Sequence, residues 1–141
     1  MFVRIALAVA SLTLALSALG GDVALAAKTD RSSSSSIVLV LLNAPATPTT
    51  AVSGPRYGDL VTFNVSTDET AYPFVNLKCY QNGDLVAEGW AGFFDGALGD
   101  RTFGLYSPQW TGGAADCTAW LNMYSHGKWR QLVSTSFHVD P

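Results

Sequence analysis

Apolar and polar residues alternate with a period of two in three runs of the chain. Val61, Phe63 and Val65 alternate with Thr62 and Asn64. Val75, Leu77 and Cys79 alternate with Asn76, Lys78 and Tyr80. Cys117, Ala119, Leu121 and Met123 alternate with Thr118, Trp120, Asn122 and Tyr124. Successive side chains of a strand point to opposite faces, so each run predicts a strand buried on one side only. Ile37–Leu42 is an unbroken apolar run, too short for a membrane span and suited to a strand. No helical period of more than two turns occurs after residue 27.

Turn chemistry separates these runs. Asn82-Gly83 fits a two-residue hairpin, because both central residues of a type I′ turn need positive φ. Ser125-His126-Gly127-Lys128 turns the chain into a last strand. Residues 95–100 and 107–115 are rich in glycine, aspartate and proline and form connections. Seven strands are therefore expected, over 37–42, 60–66, 74–81, 85–91, 101–106, 116–124 and 129–139. Residues 43–55 hold three prolines and form an extended crossing after the first strand. A run like Ile37–Leu42 could also be lent to a second subunit, although pairing within its own domain is the simpler expectation.

The N-terminus has a different pattern. Met1-Phe2-Val3-Arg4 carries one positive charge, Ile5–Leu19 is nearly all apolar, and Ala24-Leu25-Ala26 offers small residues for cleavage. This predicts a signal peptide over 1–27. The apolar core is about 15 residues long, short of the roughly 20 a span requires. Residues 28–36 contain five consecutive serines and form a flexible linker. The domain proper is 37–141. The expected location is secreted, extracellular or attached to the cell envelope, with no membrane span after cleavage.

Composition narrows the partners. The chain has 11 acidic and 8 basic residues, a net charge of -3, and no basic stripe, so nucleic acid is not expected. Cys79 and Cys117 are the only cysteines, and in an exported chain they are expected to form one disulfide. No cofactor or metal is expected. Asp95 and Asp100 lack the spacing of a calcium loop, and the two cysteines with His126 and His138 lack the short paired spacings of a zinc site.

Three stretches carry a resemblance. Val75–Gly83, Trp110–Ala119 and Ser134–Val139 resemble small secreted bacterial proteins of immunoglobulin-like type, over about residues 58 to 140. The resemblance implies an all-β, immunoglobulin-like Greek-key β-sandwich and an exported address, and no activity. The antibody hallmarks are missing. The cysteines fall on the third and sixth strands, and Ala115 stands where a tyrosine would precede Cys117.

Candidate function lies on the outward face. With Leu77, Cys79, Cys117, Ala119 and Leu121 inward, Tyr80, Trp120 and Tyr124 point outward beside Asn76, Lys78 and Asn122. Rings stack on the apolar faces of sugars and amides bond hydroxyls. Protein interfaces favour the same residues, and cross-strand aromatic pairs also simply stabilise a sheet. The expected function is non-catalytic binding or structure at or outside the cell surface. The partner would be an unknown extracellular protein or a polysaccharide, and a carbohydrate-binding domain is one alternative. A small hydrolase or an enzyme inhibitor is the other. No nucleophile motif is present, and the only glutamates are Glu69 and Glu88. Trp129 is expected to plug one end of the sandwich. Trp90, Phe93 and Phe94, near a glycine-rich loop, could form an exposed binding edge, but burial under the fifth strand is the expectation.

Overall fold

The structure, a computed structural model, describes residues 34–42 and 54–141. The expected signal peptide, most of the serine linker and most of the extended crossing lie outside the described residues. Seven strands form: β1 (Ser35–Leu41), β2 (Leu60–Thr67), β3 (Phe74–Gln81), β4 (Asp84–Gly92), β5 (Phe103–Gly104), β6 (Ala115–Ser125) and β7 (Lys128–Val139). No α-helix occurs among the described residues. The chain is all-β, with a three-stranded sheet in the order β1-β2-β5 and a four-stranded sheet in the order β4-β3-β6-β7. Every strand pair is antiparallel.

The inward rows of both sheets meet in one core, as in a β-sandwich. Val61 and Phe63 come from β2, Val75 and Leu77 from β3, and Ala119 and Leu121 from β6. Phe63 joins the sheets, with its ring 5.5 Å from Phe103 on β5 and 6.5 Å from Phe137 on β7. Trp110, in the loop before β6, is fully buried. Its indole N–H donates to the Gly113 carbonyl at 3.1 Å, and its own carbonyl accepts from the Tyr57 hydroxyl at 2.9 Å. The ring's one polar atom and the residue's backbone carbonyl are thus both satisfied inside.

Cys79 and Cys117 stand directly opposite each other on β3 and β6 and form a disulfide, with Cα atoms 4.0 Å apart. Both are buried on the core side. The bond fixes the β3–β6 register, and a one-residue slip would exchange the two faces.

Both hairpin turns use left-handed backbone. Asn82 and Gly83 have φ of 53° and 91°, and His126 and Gly127 have φ of 52° and 76°. Asparagine tolerates this region better than most residues, and glycine enters it without steric cost.

Three expectations need correction. First, β1 begins at Ser35, so the last two serines of the expected linker are ladder residues paired with Thr67 and Ser66. Second, the strand expected over 101–106 shrinks to Phe103–Gly104. There the ladder ends in irregular bonds: the Leu105 carbonyl accepts from Gly58 N–H, not from Asp59 opposite it. Thr62 Oγ1 donates to the Arg101 carbonyl, and Leu105 N–H donates to Asp59. The Tyr106 ring also folds over Gly104, where an added Cβ would lie 2.5 Å from it. Third, Trp129 is not a plug and Trp90 is not buried; both stand out from the four-stranded sheet, about half exposed. Of the three aromatics expected under the fifth strand, Phe93 does pack there, with its ring stacked 6.5 Å from Phe103. β1 pairs with β2 of its own chain.

Candidate functional site

The register assigns the outer face of the four-stranded sheet residue by residue. One cross-strand row reads Trp90, Asn76, Trp120, Ser134. The row on one side reads Glu88, Lys78, Thr118, Ser136, and the row on the other reads Gly92, Phe74, Asn122, Gln131. Tyr80, Asp116 and His138 lie at one end of the face, and Tyr124 and Trp129 at the other. All six residues expected on this face therefore do share it. The sequence pattern missed Trp90, Trp129, Gln131 and Glu88.

The four-stranded sheet carries two β-bulges, and the first explains two of those omissions, Trp129 and Gln131. Between Leu121 and Asn122 the β6–β7 register shifts, so that Val133 pairs with Leu121 and Gln131 with Asn122. Leu132 is the extra residue. Simple alternation places Trp129 in the same row as Val133 and Phe137, facing the core. The bulge reverses the face for everything before it, and Trp129 and Gln131 turn outward. The second bulge, in β4, leaves Val86 unpaired opposite Cys79 and Tyr80. Its carbonyl accepts from the Ser107 hydroxyl. Signals for the first bulge were present: Leu132 and Val133 are adjacent apolar residues, and Gln131 is polar in an otherwise inward row.

The result is an aromatic cluster at one end of the face. The Trp129 ring lies 5.2 Å from Trp90, 5.3 Å from Phe74 and 5.2 Å from Tyr124. Phe94 continues the cluster, 5.3 Å from Phe74 and 5.2 Å from Tyr72. Most of these contacts are edge-to-face, the preferred aromatic geometry. Trp90, Trp129, Tyr72 and Tyr124 each remain more than half exposed. Beside the cluster, an open groove of about 370 Å³ is lined by Asn76, Lys78, Tyr80, Trp90, Trp120, Asn122 and Gln131. The amides form its floor, contrary to the expected rim position: Asn76 is 5% exposed and Asn122 8%.

Glu88 organises one side of this groove. Its Oε1 accepts from Asn76 Nδ2 at 3.3 Å and from the Trp90 indole N–H at 3.4 Å, and it pairs with Lys78 Nζ at 3.3 Å. The Asn76 amide, foremost, and then Lys78 and Trp90 hold its carboxyl below the usual glutamate value, against a smaller opposing effect of burial. At the other end, His138 Nδ1 lies 2.8 Å from Asp116 Oδ1, and that bond raises the imidazole above its ordinary value. Among the described residues no hydroxyl or thiol hydrogen-bonds the other ring nitrogen. No group of three or more His, Cys, Asp or Glu side chains able to hold a metal occurs among the described residues. Asp95 lies 3.9 Å from Arg101 and is fully solvated. No described helix is long and apolar enough to cross a membrane.

Comparison with family models, with curated proteins and with solved structures finds no match to this chain.

Proposed function

We propose that the chain is an exported, non-catalytic binding domain that meets its ligand through the outer face of the four-stranded sheet. The observation that carries this reading is the exposed aromatic cluster centred on Trp129. Monomeric proteins seldom leave so many large rings together in water, and contiguous exposed apolar surface marks an interaction site. Tryptophan and tyrosine are the side chains that dominate binding energy when covered.

The strand order supports an immunoglobulin-like Greek key. The chain passes from one sheet to the other after β2, returns after β4 and crosses again after β5. The buried disulfide, together with the apolar leader expected from the sequence, supports an oxidising destination outside the cell or on its envelope. Non-catalytic action is favoured because the two perturbed groups of this face, Glu88 and His138, are each engaged in holding neighbours in place.

The test is a capture experiment. Cell-envelope and extracellular fractions are passed over the immobilised protein and over its Trp129→Ala variant. A component retained by the first and lost by the second, with the fold intact by circular dichroism, is the expected outcome. Equal retention by both would remove the aromatic cluster from function.

A further inference from the structure

Resting on that reading, we infer that the groove between Trp90 and Trp120 is a subsite for an uncharged polysaccharide chain. Sugar rings stack on the indoles, and their hydroxyls bond the amides of Asn76, Asn122 and Gln131.

The amides supply the first argument. Asn76 spends its Nδ2 on Glu88 and on the Gly89 carbonyl at 3.2 Å, and Asn122 spends its Nδ2 on the Trp120 carbonyl at 3.0 Å. Neither Oδ1 accepts a hydrogen bond among the described residues, and neither is sealed from solvent. Each asparagine is more than nine-tenths buried and lines the groove, so each carbonyl is a sunken acceptor in its wall. A sugar hydroxyl donates to such an acceptor as water does. An apolar protein surface laid over it would leave it unpaired, at a cost of about 1–3 kcal/mol for each group. The acceptors therefore favour a hydroxyl-rich partner over an apolar protein surface.

Spacing supplies the second. Trp90 on β4 and Trp120 on β6 flank Asn76 on β3 in a single row. Two strand spacings separate them, about 10 Å. Two flat apolar platforms with a polar acceptor between them suit a chain whose rings are apolar on their faces and polar at their edges. Trp90 is also set in advance, with its N–H on Glu88 and its ring against Trp129. Little side-chain freedom is then lost on binding.

Charge supplies the third. Lys78 is the one cation of the groove lining and is paired with Glu88, whose Oε1 already takes three partners. The lining therefore offers no unbalanced charge to a sulfated or uronic polymer. Gln131 is exposed in the groove lining, where its amide can donate to a ring or hydroxyl oxygen.

The experiment is calorimetric titration of the purified protein with cellohexaose, chitohexaose and polygalacturonate. Either neutral oligosaccharide should bind. Trp90→Ala and Trp120→Ala should each weaken it by roughly tenfold, Gln131→Ala should weaken it less, and Asn64→Ala on the other sheet should leave it unchanged. Should Trp120→Ala disturb the fold, exposed Trp90 and Gln131 still decide the matter. Failure of both neutral sugars to bind overturns the inference, as does binding that survives both tryptophan changes. Tighter, salt-sensitive binding of polygalacturonate overturns its uncharged character. If the capture experiment yields a protease-sensitive partner lost on Trp90→Ala while both sugars are ignored, the polysaccharide falls and the binding face stands. If neither sugars nor captured partners respond to Trp90→Ala, Trp120→Ala or Trp129→Ala, both fall.

Discussion

Trp90 and Trp129 sit on β4 and β7, the two outer strands of the four-stranded sheet, yet their rings lie 5.2 Å apart. They meet over the two central strands, β3 and β6. Two indoles this close couple electronically, so far-ultraviolet circular dichroism should show an exciton couplet, absent in Trp90→Phe and in Trp129→Phe alike. A double-mutant cycle should return about 0.5–1.5 kcal/mol for the pair. Spectra that are additive in the two single variants would contradict the contact.

Trp110 gives the opposite result to Trp129. It is fully buried with its indole N–H hydrogen-bonded, so Trp110→Ala should cost about 3–5 kcal/mol in urea denaturation. Trp129→Ala removes a half-exposed ring and should cost much less.

The Cys79–Cys117 bond closes a loop of 38 residues. Chain-entropy arithmetic puts its contribution at about 4 kcal/mol. Reduction, or a double change to alanine, should lower the denaturation midpoint accordingly. Both sulfurs are buried, so thiol reagents should reach them only after unfolding and reduction.

Acid should loosen the groove through Glu88. Its carboxyl is held below the ordinary value of 4.5 in the fold, so its contribution is complete above that value and is lost as pH falls through the lowered one. Glu88→Gln should remove this part of the acid response and free the Trp90 indole, seen as a shift in tryptophan emission. An unchanged acid profile in Glu88→Gln would show that Glu88 contributes nothing there.

His138 has the opposite sign. Its value is raised above 6.5, chiefly by the Asp116 bond, so the pair's contribution is complete below 6.5 and fades as pH rises through the raised value. Nuclear magnetic resonance titration should place the imidazole above its ordinary value in the unaltered protein. In Asp116→Asn it should move back down. The pair is exposed, so thermal stability should change little.

Much of this was legible in the residues. Alternation located three strands, an apolar run and turn residues marked out the rest, Asn82-Gly83 marked its hairpin, and the Cys79–Cys117 bond was expected because these are the only two cysteines. Alternation is a local signal and assumes an unbroken ladder. It therefore missed what depends on the count of residues between elements: the extra Leu132 that turns Trp129 outward, and the loss of pairing around Phe103–Gly104. Nor could it show that Asn76 and Asn122 are sunk beneath taller neighbours, because depth depends on side-chain height across four strands.

Leu132 has a consequence for how such a surface could arise or vanish. Removing one residue there would leave almost every side chain in the chain, yet would carry Trp129 to the interior and out of reach of any ligand. Descendants differing by a single codon's length could thus part company in what they recognise, while point substitutions between the same two sequences would look inconsequential.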